Sequence, residues 1–360
     1  MANEEKAARY HRLRRRASVL STLVAAAVLV FLIVTPASRR LADVSGGSVT
    51  VYVVLLALLI ELLTLPLAFQ VGWRLERKYG LSRETAGAWL RDQLKGLAIV
   101  LPLMALAAEA VYLAARTWPE TWWLPAAVVL TAGVIALAHL GPVLLMPLFV
   151  RVKPLERPEL SRRLAALSAR AGVAIVGAFE WQLGERTSKA NAALTGLGST
   201  RRILLSDTLL AAYSDDEIEV ILAHELSHHV HHDLWSAIAV EAALLFAGAY
   251  AAQSVLGWAG PWLGVTSPSD VAGLPLLLLT AGALSLALTP LARALSRRHE
   301  RRADAFALQL TAAPAAFISA MKRLGAQNLA EEDPSTLVRV LFHSHPPLAE
   351  RIQRARSIGD

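Results

Sequence analysis

The sequence predicts a mainly α-helical protein: a polytopic membrane helical bundle or barrel of about six spans, with a small α/β portion on the cytoplasmic side. Three observations lead there. Of 360 residues, 55% are hydrophobic and 18% charged, with a positive mean hydropathy; that is too apolar for an ordinary soluble domain. Six runs are long and apolar enough to cross a bilayer core of about 30 Å. The segments between them alternate between basic and charge-poor. No cysteine is present, so disulfides, thiolate nucleophiles and cysteine-held metals are excluded. The formal charge of +7 comes without any DNA- or RNA-binding signature. In a membrane chain such an excess reflects orientation and anionic lipid, so the expected partner is the lipid bilayer and not nucleic acid.

Taken in order, the runs lie at roughly 18–36, 48–70, 96–115, 124–149, 235–257 and 272–292. The first, "SVLSTLVAAAVLVFLIVTP", follows the basic "HRLRRR". Its apolar core exceeds that of a signal peptide and Arg39 and Arg40 follow it, so it reads as a retained span. Before it stand Lys6, Arg9, Arg12, Arg14, Arg15 and Arg16. The second loop carries Arg74, Arg77, Lys78, Arg83, Arg91 and Lys95, whereas the third has Arg116 alone and the fifth has no cation. Six spans with this alternation place both termini and the long fourth loop in the cytoplasm, with a bacterial inner (plasma) membrane as the expected location. Trp118, Trp122, Trp123, Trp258 and Trp262 fall in the opposite-side loops, as an interfacial belt would. The expected organisation is four spans with a basic N-terminus and loop in 1–149, a cytoplasmic catalytic segment in 150–234, two spans in 235–292 and a cytoplasmic segment in 293–360.

Within 150–234, "ERPELSRRLAALSARAG" reads as an amphipathic helix closed by Gly172. "GAFEWQL" and "RRILLSDTLL" read as strands or strand-to-helix transitions, with "ERTSKANAALTGLGST" between them. Ser214 followed by Glu217 is a capping box that starts the next helix, ahead of Ile218, Ile221 and Leu222. That helix holds "HELSH": His224, Glu225 and His228. Positions four apart differ by about 40° of rotation, so both imidazoles can share one cation, and Glu225 can serve as general base toward water at that cation. A histidine-rich helix end at a membrane interface is the plain alternative, but it would need no glutamate at this spacing. A metal transporter is the other rival, and it would place its ligands within the spans.

A catalytic zinc takes three protein ligands and leaves a fourth position open. "LSRRHERRADAFALQL" supplies Glu300 and Asp304 four apart on one helix face, beside the small residues Ala303 and Ala307. Glu300 would be the third ligand, and Asp304 would orient a ligating histidine. His299 is a competing donor that points about 100° away. His229, His231, His232 and His343 read as interfacial or surface residues, with His232 on the stripe of the two ligands. Glu61, Glu109, His139 and Glu241 lie inside apolar runs, where an ionisable group facing lipid costs at least about 2.5 kcal/mol; they are expected to face a hydrated interior.

Several blocks, in order, resemble the membrane-integrated zinc proteases of the type 1 CAAX prenyl endopeptidase family, and more distantly the stress-response membrane zinc proteases of bacteria. They are "KYGLSRETAGAWLRDQLKG", "GPVLLMPLFVRVKPL", "SKANAALTGLGSTRRILLSDTLL", "EVILAHELSHHVHHD", "RRHERRADAFAL" and "SHPPLAERI", and together they span about three quarters of the chain. The resemblance implies a gluzincin-like catalytic portion that hydrolyses a peptide or protein substrate with one zinc per chain. It implies His224, His228 and Glu300 as ligands, Glu225 as catalytic base and Asp304 as a ligand's partner. It further implies Asn191 holding the substrate backbone beside an edge strand, His345 near the scissile carbonyl, and Arg351 supporting that substrate-binding region. Two departures, six spans against seven and no aromatic after Asn191 in "AALTG", leave the lipidation of the substrate open.

Overall fold

A computed structural model describes residues 2–196 and 200–359. Six of its helices are long and apolar enough to cross a membrane. They belong to α1 (Ala2–Val34), α3 (Val49–Lys78), α4 (Ala86–Thr117), α5 (Trp123–Leu140), α9 (Asp233–Ala259) and α10 (Leu274–Thr311). The short α2 (Ala37–Val44) lies between the first two. Each spanning helix packs on two neighbours in the order α1, α3, α4, α5, α9, α10 and back to α1. Among the described residues no pair across the ring packs side by side. The spanning helices thus follow one another in a closed order of neighbours. In the fourth span none of the most apolar window is buried inside the protein.

The ring is tied together at both ends. At one end Tyr52 and Tyr112 are fully buried. Ser38 Oγ there donates to the Ala272 carbonyl at 2.6 Å, and Arg39 pairs with Asp270 at 2.6 Å. At the other end Tyr10 of α1 donates to Glu76 of α3, and His11 meets the Leu329 carbonyl at 2.7 Å. Those contacts explain why α1 extends well ahead of the apolar run, through the basic stretch. Of the ionisable groups inside the spans, none pairs with another of the four. Glu109 has polar partners. Its carboxylate accepts from the Thr50 backbone at 3.1 Å and from Thr50 Oγ1 at 2.8 Å, which satisfies an orphan backbone donor at the start of α3, and it lies 3.6 Å from Arg116.

Between the fourth and fifth spans the chain forms β1 (Val152–Pro154), α6 (Pro158–Arg170), β2 (Gly177–Trp181), β3 (Ala192–Thr195), β4 (Arg202–Ser206), α7 (Asp207–Ala212) and α8 (Asp215–Val230). The sheet order is β1-β2-β4-β3, with β2 and β4 parallel and the other pairs antiparallel. Both β1 and β3 are therefore edges. As expected, α6 closes at Gly172, whose φ of 70° suits a residue without a Cβ. Beyond α10 follow α11 (Pro314–Gln327), α12 (Thr336–Phe342) and α13 (Leu348–Gly359).

The capping box at α8 forms: Ser214 Oγ accepts from the Glu217 backbone at 3.3 Å, and Glu217 Oε2 accepts from the Ser214 backbone at 2.8 Å. Ile218, Leu222 and Leu226, all fully buried, turn inward onto Leu160 and Leu164 of α6, Leu205 of β4 and Phe317 of α11. Leu222→Ala is expected to cost about 2–5 kcal/mol through the cavity it leaves, read as a lower melting temperature of the detergent-solubilised protein. Leu222→Met should recover most of that loss.

Candidate metal centre

Two helices make the site. α8 presents His224 and His228 from one face, their ring centres 5.0 Å apart and their planes at 83°. α10 continues past its apolar stretch and lays Glu300 against them, with Ala303 and Ala307 fully buried at the crossing. One donor atom from each of His224, His228 and Glu300 lies within 4.8 Å of the other two. The Nε2 atoms face Glu300, at 3.2 Å for His224 and 3.7 Å for His228.

The opposite ring nitrogens are committed elsewhere. His224 Nδ1 lies 3.0 Å from Asp304. His228 Nδ1 lies 2.8 Å from Asp233, the first residue of α9. Each carboxylate accepts the Nδ1 proton, which leaves the Nε2 lone pair pointing inward. Glu300 Oε2 is buried and has no hydrogen-bond partner. An orphaned carboxylate oxygen beside two inward lone pairs is the donor set that zinc takes: two imidazoles and one carboxylate, with room for a fourth position.

Glu225 sits next to His224 in sequence and, among the described residues, makes no hydrogen bond or ion pair. Burial pushes its carboxyl above the ordinary value and Glu300 adds to this, while His224, His228 and Arg351 hold it back. His345 Nε2 lies 3.3 Å from Glu300 Oε1 on the open side, its side chain 59% exposed. Arg351 donates to Asp304 through Nε at 2.8 Å and Nη2 at 2.6 Å. Its partner is thus the carboxylate behind His224. Asn191 immediately precedes β3. Its backbone exchanges hydrogen bonds with Ser206, both at 2.9 Å, and its exposed amide makes none among the described residues.

The other histidines lie apart from this cluster. His299 is 3.4 Å from Ser236 Oγ and 3.7 Å from Asp233, on the outer side of that carboxylate. His229 Nε2 donates to the Leu194 carbonyl at 3.0 Å and so pins β3 to the metal helix. His232 takes a left-handed φ of 56° at the turn between α8 and α9 and leaves the stripe. Sequence reasoning missed Asp233 and its partner Arg302, which pairs with it from α10. The signal was present: an aspartate five residues after His228, directly at the start of a candidate span.

The comparisons with known proteins agree with this geometry. A family model described as peptidase family M48 matches residues 154–358. The chain belongs to peptidase family M48. A second model, the CAAX prenyl protease N-terminal region with five membrane helices, matches residues 2–151; four of the candidate spans fall in that stretch. An uncharacterized metalloprotease of Bacillus subtilis, YhfN, is 31% identical over 308 residues, covering 84% of this chain and 72% of its own. CAAX prenyl protease 1 of Saccharomyces cerevisiae is 29% identical over 322 residues, 83% of this chain and 70% of its own. The crystal structure of S. mikatae Ste24p superposes with a TM-score of 0.86 at 24% identity, over 98% of this chain and 89% of that one; this likeness carries the fold. The chain is thus an integral membrane metalloprotease with an M48 catalytic portion, and M48 enzymes are zinc-dependent.

Removing Asp233 should weaken metal binding without removing a ligand. Asp233→Asn is expected to lower zinc affinity about 10–100-fold, measured by chelator competition on purified protein. His224→Ala, His228→Ala and Glu300→Ala should each lose the metal outright. Full zinc retention in Glu300→Ala would remove it from the ligand set.

Proposed function

We propose that this chain is a membrane-embedded zinc endopeptidase acting on membrane-associated peptide or protein segments, with one zinc per chain. Its site faces the cytoplasm of a bacterial inner membrane. The observation that carries the reading is the unpartnered Glu225 carboxylate beside the His224, His228 and Glu300 donors, next to a sheet edge. In this reading His224, His228 and Glu300 hold the metal, and Asp304 and Asp233 keep the two rings in register. When bound, zinc polarises the scissile carbonyl and lowers the pKa of water.

The chain's own residues supply the rest. An extended substrate adds to the β3 edge by backbone hydrogen bonds, and the free Asn191 amide holds its main chain at the strand's start. Glu225 takes a proton from the attacking water as the new C–O bond forms. It returns that proton to the amine as the C–N bond breaks. His345, exposed above Glu300, donates to the carbonyl oxygen as charge develops there. Arg351 acts through Asp304, holding His224. The names of the yeast and plant relatives, CAAX prenyl protease 1 and its homologues, support a lipidated C-terminal substrate as the finer version.

Glu225→Gln keeps size and polarity but cannot take a proton. It should fold, retain zinc and bind peptide, yet lose about 10²–10⁴-fold or more in turnover. Single-turnover cleavage of a quenched peptide library, with zinc measured on the same samples, is the test; equal cleavage by both forms at equal zinc sinks the proposal. For orientation, reporters fused after residues 45, 118 and 265 should read outside the cytoplasm, and those after 85, 200 and 360 inside. A reporter at 200 reading outside would invert the placement of the site.

A further inference from the structure

Several cations in the basic segments have assigned partners. Arg14 lies 3.7 Å from Glu76, Arg15 pairs with Glu331 at 2.5 Å, and Arg186 is held by Glu84 at 3.2 Å and by Asp92. Arg16, Arg74 and Lys78 differ. They make no ion pair and no hydrogen bond among the described residues, and all three line one groove between α1 and α3. The groove has a volume of about 700 Å³ and no acidic residue in its lining.

The two walls are continuous stripes. On α1, Leu13, Arg16, Ala17 and Leu20 recur at spacings of three and four, and on α3 Leu67, Gln70, Val71, Arg74 and Lys78 do the same. Height sorts their chemistry. Leu20 and Leu67 belong to the apolar runs, whereas Arg16, Arg74 and Lys78 stand just beyond them, at the level of lipid headgroups. The α3 wall also contains a π-turn over Gln70–Leu75, a widened turn that recurs at functional sites. An apolar floor on the membrane side and three unneutralised cations at its rim match one kind of occupant: an acyl chain below and a phosphate above.

We infer that this groove is a binding site for an anionic phospholipid, with the phosphate held by Arg16, Arg74 and Lys78 and the first acyl carbons against Leu20 and Leu67. The site lies at the end of the ring that carries the catalytic portion, since α1 reaches Glu331 there and Lys189 reaches Glu76 of α3 at 2.8 Å. It is independent of the metal centre.

The full-length protein, in nanodiscs of phosphatidylcholine with a minor fraction of phosphatidylglycerol, provides the test. Native mass spectrometry reads the phosphatidylglycerol retained per chain. Juxtamembrane cations contribute about fivefold each in affinity, so the triple variant Arg16→Gln, Arg74→Gln, Lys78→Gln should bind on the order of a hundredfold more weakly. Arg16→Lys with Arg74→Lys keeps the charge and should keep most of the binding. A charge-matched control on exposed cations elsewhere, Arg91→Gln, Arg298→Gln and Arg356→Gln, should change retention little. Equal loss in the control would show a general surface field and overturn the site. So would undiminished retention in the groove variant, or displacement of the lipid by inorganic phosphate at millimolar concentration. Gel filtration of each variant establishes that it is folded; if the glutamine triple does not fold, the paired single variants Arg16→Gln and Arg74→Gln, each expected to lose about fivefold, decide the question.

Discussion

The whole site depends on the close crossing of α8 and α10. Three donors from two helices can meet only if the backbones approach closely, and Ala303 and Ala307, with no side chain beyond Cβ, permit it. A larger residue at either position would push Glu300 away from the Nε2 atoms of His224 and His228. The crossing is held from several sides. Asp304 joins α10 to His224 and, through Arg351, to α13. Asp233 joins the start of α9 to His228 and to Arg302 of α10. The rings of His224 and His228 are therefore each fixed by a carboxylate that is itself fixed by a guanidinium. Both pairs draw on α10.

Much of this was legible in the sequence where the signal was local. The six apolar runs, the Ser214 cap with Glu217, the closure at Gly172 and the two histidines one turn apart are all set by near neighbours. Even Glu300 could be inferred, because an acid pair beside two alanines has little reason to occur on a solvated face. Non-local features were harder to read. β1 and β3 have three and four residues, too few for alternation to register, and β3 is held in part by His229 from another element. The early start of α1 rests on Tyr10 and His11 finding partners in α3 and near Leu329. The pairing of Asp233 with His228 runs across a left-handed turn at His232, and no helical spacing rule links residues on either side of such a turn. The family resemblance drawn from the blocks was the stronger guide to Asn191, His345 and Arg351, which composition and periodicity alone leave ordinary.

The fold also separates two tasks. The spans share a buried cluster around Tyr52, Tyr112, Leu256 and Leu277, while a separate core surrounds α8, with Leu164, Leu205, Leu222 and Phe317 all inaccessible. Cohesion is concentrated where geometry must be kept to fractions of an ångström, and at the two rims where the spans are tied. The outer faces of the spans between those rims need only suit lipid.

α10 is a single helix from Leu274 to Thr311, so Glu300, beside the two histidines, and the apolar candidate span belong to one rod. With the apolar stretch ending near residue 292, Glu300 stands about 12 Å further along at 1.5 Å per residue. The length of that rod sets the distance between the proposed site and the apolar stretch. Under the proposed function, a scissile peptide bond would have to lie at that fixed height from the apolar stretch.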